Sequence, residues 1–342
     1  MSVTATVYAP PRARAPWRVD ELYAPAAVRY FGFARHALTE ALKLAGASGE
    51  TVLLPDFVCR DLLASVAAAG AKPAFYKTRE DLAPAEDPSR WPPARVVVAV
   101  DYFGFPQDLA PFEAYARRTG AVLIEDAAHA LFSRDAGGRL LGTRAPLGVL
   151  SLRKSLPIPN GGALLANDAA FAARLPAQVP YLPAPGPRQA LKSLARPLLA
   201  LAGSRAALAG MTAVRSLRGD ASGHVAPDPE SERVLPEPAA PCAELQSPLV
   251  CADPALEAAR RRELWDLCAG LARDGGLSPV FSALPGGTVP YGYVFRTDAL
   301  PAARRVFARA GLTVLPWPDL PSAVKPSAPA FHQNVAAAHF LW

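Results

Sequence analysis

Two segments of the chain carry the side chains best suited to chemistry. In VLIEDAAHA, residues 122–130, an apolar run delivers two carboxylates, Glu125 and Asp126, followed by His129. A buried carboxylate at a strand end can hold a proton on a heteroaromatic nitrogen such as that of a pyridine ring. The charged ring then withdraws electrons from a carbanion. The pattern equally suits a plain helix cap, with Glu125 and Asp126 facing the first turn of a following helix. His129, placed on that first turn, would either hydrogen-bond a ligand's phenolic oxygen or be a satisfied core histidine.

In SLRKSLPIPNGGALL, residues 151–165, Lys154 follows a strand and precedes a proline-fixed loop and the pair Gly161 and Gly162. A lysine in a low-dielectric site beside another cation, here Arg153, loses its proton and attacks an aldehyde to form a Schiff base. Taken alone, Lys154 reads as well as a solvated surface lysine.

The elements that must position these residues alternate between helical and extended patterns. A helix is expected over Arg35–Leu44, a strand at Val52–Leu54, a helix from Asp56 to Ala69 and a strand at Pro73–Tyr76. Arg95–Val100 is a continuous β-branched run of the kind buried on both faces of a sheet. A helix Leu109–Thr119 and strands Ala121–Ile124, Gly148–Ser151 and Gly162–Leu165 follow. This rhythm predicts an α/β fold with a mostly parallel central sheet flanked by helices and ligands beyond the carboxyl ends of its strands, where residues 101, 125 and 126 fall. Residues 176–247 break the rhythm as a proline-rich connector, with a helix expected over 189–217 and a polar loop over 219–241. A long helix Pro254–Arg273, a strand Val289–Arg296, a helix Leu300–Ala310 and a strand Leu312–Leu315 predict a smaller α+β domain. The expected division is thus a large domain over 1–250 and a small one over 251–342, in line with about 150 residues per domain.

Composition narrows the function classes. The net charge of +6 comes from basic residues scattered singly or in pairs, with Arg260–Arg262 the longest run. No basic patch is interleaved with aromatics, so nucleic acid is not the expected partner. The 37 prolines follow no period, which excludes a collagen-like repeat and points to stiff loops. Cys59, Cys242, Cys251 and Cys268 lack metal-ligand spacing, and no metal site is expected. The start lacks the apolar core of a secretory signal, so a reducing, cytoplasmic setting is expected. The apolar stretch 197–214, interrupted by Arg205, is too short to span a bilayer and is a candidate interface helix.

Together the two chemical segments resemble the DegT/StrS-type sugar aminotransferases, a family of fold-type I enzymes that use pyridoxal 5'-phosphate. The likeness runs through residues 51–76, 96–131, 142–165 and 260–271, with EDAAHA and SLRK followed by Gly-Gly as its specific pieces. The resemblance implies that Lys154 bonds the cofactor and shuttles a proton, that Asp126 pairs with the pyridinium nitrogen, and that His129 lies near the ring oxygen. It places Cys59 where many relatives have an aromatic residue stacked on the ring. Ser151, Ala34 and Arg35 would lie at the phosphate. It further implies a homodimer, an amino donor such as glutamate, and a keto sugar nucleotide as acceptor in surface polysaccharide or secondary sugar synthesis. Two departures stand out. Gly32-Phe33-Ala34-Arg35 replaces the hydroxyl-bearing phosphate loop of relatives, and the chain stops at HFLW where relatives continue, which reads as an abbreviated small domain. They motivate a second reading, a catalytically altered protein of this fold acting as an assembly partner. Lys154 argues against a third, a deoxysugar dehydratase, since those relatives carry histidine there.

Overall fold

The computed structural model describes residues 10–184, 209–210 and 229–340. A short helix α1 (Val19–Leu22) leads into β1 (Ala27–Phe31) and α2 (Ala34–Leu44), then β2 (Thr51–Pro55), α3 (Leu63–Ala68) and β3 (Lys72–Tyr76). Next come β4 (Val96–Val100), α4 (Ala110–Thr119), β5 (Val122–Asp126), β6 (Leu147–Ser151), β7 (Gly162–Ala166) and α5 (Ala169–Ala172). After the connector follow α6 (Pro254–Asp274), β8 (Ser278–Pro279), β9 (Gly292–Arg296), α7 (Leu300–Ala308), β10 (Thr313–Pro316), α8 (Ala330–Gln333) and β11 (Val335–His339).

The large sheet runs β1-β7-β6-β5-β4-β2-β3. Strands β3, β2, β4, β5 and β6 are parallel, while β7 runs antiparallel to both β6 and β1. The VVVAV run of β4 is buried at every position, which is why it can sit mid-sheet with cover on both faces. Helix α2 turns Ala37, Leu38, Ala41 and Leu42 onto the sheet. Each buried leucine contributes about 1.5–3 kcal/mol to holding the helix there. The second sheet, β10-β11-β9-β8, is antiparallel, and its residues share one continuous core cluster with β2, β4 and α2. No helix among the described residues is long and apolar enough to cross a membrane.

Several expectations change. The segment after Asp56 is not one long helix, since the carboxylate of Asp56 accepts from the amide and hydroxyl of Thr78 at 3.0 and 2.8 Å. Its amide also bonds the Tyr76 carbonyl, so the chain bends over residues 56–58 before a 3-10 turn at Arg60–Leu62 and α3. No helix follows β5. Residues 127–133 are successive turns, closed by bonds from Ala130 to Ala127 and Ser133 to Ala130 and pinned by Ser133 against Val289. The helix-cap reading of Glu125 and Asp126, with His129 on a first helical turn, is therefore wrong. The strand expected from Val289 begins only at Gly292, because the amides of Val289 and Tyr291 bond Ser133 and Phe103 instead. Strands β1, β8 and β11 went unanticipated. The helix expected over 189–217, the apolar stretch 197–214 and the first part of the polar loop lie, but for residues 209–210, outside the described residues.

Candidate active site

At the carboxyl ends of β4, β5 and β6, and against the start of α2, lies a cavity of about 240 Å³. All seven residues singled out from the sequence, Lys154, Asp126, His129, Cys59, Ala34, Arg35 and Ser151, line it. It occupies the crevice where open α/β sheets bind ligands.

Lys154 closes a single 3-10 turn after β6. The turn is held by amides of Leu152 and Arg153 on the Gly161 carbonyl, at 2.9 and 3.4 Å, and by Arg261 Nη2 donating to the Lys154 carbonyl at 3.1 Å. The lysine Nζ has no hydrogen-bond or ion-pair partner among the described residues and stands 5.7 Å from the centre of the Tyr291 ring. Removal from bulk water is the main cause that lowers its pKa to about 8; Arg153 and Arg35 lower it further, and Asp126 opposes them. Because the depressed group loses its proton above about pH 8, the rate at which Lys154 captures an aldehyde should climb from pH 6 to 8 and level near pH 9. Stopped-flow absorbance with pyridoxal 5'-phosphate would read this; a rise still continuing through pH 10 would mean an ordinary solvated lysine.

Asp126 ends β5 and is 8% exposed. One oxygen accepts from the Ala128 amide at 3.0 Å, and burial raises its pKa, with the charge of Lys154 acting the other way. The second oxygen has no protein donor among the described residues, and the side chain lines the cavity.

His129 is stacked between Tyr291 (4.5 Å, 1°) and Phe103 (5.4 Å, 29°). Burial, with Lys154 and His339 nearby, lowers its pKa well below the usual value, so the ring is neutral at pH 7. Its Nδ1 accepts from the Phe103 amide at 3.3 Å, which assigns the single ring proton to Nε2 and makes that nitrogen a donor. Phe103 reaches this position with a left-handed backbone (φ 55°, ψ 20°), an unfavourable conformation for a bulky residue that the stacking and the bond to His129 offset. Gly104, at φ 93°, follows so closely against the Val289 carbonyl that a Cβ there would collide with it.

Cys59 faces the cavity as a neutral thiol, its pKa raised by burial first and by Asp61 second. At the opposite end, Gly162 of β7 has a structural duty, because a Cβ there would strike the backbone of Phe33 and Ala34. Its bare backbone lets the start of α2 sit over the sheet, presenting first-turn amides that helix geometry leaves without carbonyl partners. The hydroxyl of Ser151 takes no partner among the described residues.

Glu125 points away from its neighbour's chemistry. With Asp101 it grips Arg144, whose Nε lies 2.6 Å from Glu125 Oε1 and whose Nη2 lies 2.7 Å from Asp101 Oδ1. All three side chains are buried. The second Asp101 oxygen is buried without a donor among the described residues, and burial first, with Glu125 second, raises the Asp101 pKa well above its ordinary value while Arg144 opposes the shift.

Sequence reasoning missed the wall contributed from beyond the first sheet. Tyr291 precedes β9 and Trp317 follows β10, and both line the cavity. Trp317 packs edge-on against Phe103 at 4.6 Å and His129 at 5.3 Å. His339, at the end of β11, meets Tyr291 edge-on at 5.4 Å with neither ring nitrogen bonded, and burial lowers its pKa to about 4. The aromatic-rich YGY and proline-flanked PWP runs were the available signals.

Residues 32–178 match the model of the DegT/DnrJ/EryC1/StrS aminotransferase family. The matched segment is similar to that aminotransferase family. Solved structures agree in fold. A DegT/DnrJ/EryC1/StrS aminotransferase from Brucella abortus is 17% identical, with TM-score 0.57 over 94% of this chain and 83% of its own. A candidate sugar aminotransferase from Streptococcus pneumoniae, in its pyridoxal-phosphate form, is 15% identical, with TM-score 0.59 over 98% and 93%. DesI, solved in the presence of its TDP-sugar product, is 16% identical, with TM-score 0.57 over 94% and 77%. The family match spans α2, Cys59, Asp126, His129, Ser151 and Lys154, so the cavity's main wall lies within the matched segment, while Tyr291 and Trp317 come from outside it.

Proposed function

We propose that the chain is a pyridoxal 5'-phosphate-dependent aminotransferase that moves an amino group from glutamate to a keto sugar carried on a nucleotide, working as a homodimer. One observation carries the reading. Lys154 Nζ and an oxygen of Asp126, delivered from β6 and β5, both lack protein partners and both face one cavity. An amine and a buried acid without protein partners on one cavity suit a ligand that uses each, and a pyridine aldehyde does.

The residues present fit that cofactor. Lys154 Nζ would hold it covalently, Asp126 would keep its ring nitrogen protonated, and His129 Nε2–H is placed to donate to a ring oxygen. When bound, the cofactor supplies the electron sink that a carbanion at the substrate carbon requires. Lys154 Nζ, with a pKa of about 8, is suited to carry a proton to and from that carbon near neutral pH. Tyr291 and Trp317 line the cavity with apolar ring surface that would limit water around the bound cofactor. The domain's family and the TDP-sugar product seen with DesI support a nucleotide-linked acceptor.

In the protein loaded with cofactor, glutamate should bleach the visible absorption, and a keto sugar nucleotide should restore it. A band unmoved by glutamate and by every other amino donor would contradict transamination.

A further inference from the structure

The start of α2 poses a chemical puzzle. The helix N-cap is Phe33, which offers no side-chain bond to the helix amides where a hydroxyl or carboxylate residue would add about 1 kcal/mol. Two guanidiniums converge on its ring instead, with Cζ of Arg153 at 5.3 Å and Cζ of Arg35 at 6.0 Å from the centroid. They arrive from different elements, Arg35 from the first turn of α2 and Arg153 from the turn after β6. Arg35 is paired with Asp61 at 3.2 Å, whereas Arg153 has no carboxylate within 4 Å among the described residues. Two cations are thus held around one ring with a single carboxylate between them, and both line the cavity with Ser151 and Ala34. Arg153 is exposed and Arg35 half-buried, so an anion entering the cavity can reach both guanidiniums.

We propose that Arg153 and Arg35, seated on the ring of Phe33, form a two-guanidinium clasp for a phosphate monoester, replacing the hydroxyl contacts this loop lacks. The inference rests on the cofactor reading above and gives the phosphate of that cofactor its partners. A dianion matches the charge excess, and the guanidinium fork offers paired N–H donors to its oxygens. The Ser151 hydroxyl and the first amides of α2 supply neutral donors. Phe33 holds the Arg153 side chain in place through its ring face, so a residue that looks like a lost contact serves as the platform for a gained one.

The test compares pyridoxal 5'-phosphate with pyridoxal, which lacks the phosphate, on wild type, Arg153→Gln and Phe33→Leu, reading binding by quenching of tryptophan fluorescence and by visible absorbance. Arg153→Gln should weaken the phosphorylated aldehyde by about 10- to 100-fold while changing pyridoxal by less than about threefold. Phe33→Leu should give a smaller loss with the same selectivity. An equal loss for both aldehydes, or no loss for either, would overturn the clasp. Inorganic phosphate, titrated calorimetrically, separates this inference from the broader one. Phosphate binding present in wild type and absent in Arg153→Gln supports the clasp even if neither aldehyde attaches to Lys154, and wild type that takes up no phosphate overturns it.

Discussion

Replacing Lys154 with alanine is expected to abolish both turnover and the covalent complex with cofactor while leaving the fold unchanged. The side chain makes no hydrogen bond or ion pair among the described residues and faces a cavity, so truncation removes no structural contact beyond packing on Tyr291. Its carbonyl, which accepts from Arg261, survives the substitution. Loss of positioned proton transfer alone costs about 10²–10⁴-fold in rate, and loss of the covalent tether adds to that. Thermal unfolding should shift by no more than a few degrees, while kcat falls below detection and small primary amines restore part of the proton-transfer rate. A variant that keeps more than a tenth of wild-type activity would remove Lys154 from the mechanism.

Arg144→Met should have the largest effect on stability. The guanidinium bridges Glu125 and Asp101 and also donates to the Gln107 carbonyl at 3.0 Å, so its loss strands two neighbouring buried carboxyl groups. Breaking a buried charge pair by removing one partner typically costs about 3–5 kcal/mol. The pH dependence follows from the direction of the Asp101 shift. A buried acid whose pKa is raised binds a proton in the folded state that the unfolded state has released, so stability falls as pH rises. Without the arginine this slope steepens, and the deficit should be smaller at pH 5.5 than at pH 8.5. Urea midpoints across that range would measure it. A deficit independent of pH would point to lost packing. The same arginine holds the 101–107 loop, which carries Phe103 against His129, so residual activity should fall as well.

The elements legible in the sequence are those with strong local signals. Apolar runs with few alternatives marked β4, β5 and β6, and amphipathic spacing marked α2. The family resemblance carried by EDAAHA and SLRK implies one site for Asp126 and Lys154, and both side chains line one cavity. Other features depend on long-range partners that a single sequence does not display. The AAAH run of β11 lacks β-branched residues and becomes a strand because β9 and β10 flank it. Glu125 and Asp126 are neighbours with similar signals, yet Arg144, 19 residues from Glu125, draws one inward and leaves the other to the cavity. The turns after Asp126, which carry His129, are fixed by Ser133 meeting Val289 across 156 residues. Tyr291 and Trp317 reach the site only because the second sheet packs over the first.

The most direct measurement is chemical trapping. Protein incubated with pyridoxal 5'-phosphate, reduced with borohydride and digested should carry the cofactor mass on a single peptide containing Lys154, with Asp126→Asn weakening the visible band before reduction. Label on any of the other five lysines, or none at saturating cofactor, would contradict a site built from the amine after β6 and the acid at the end of β5.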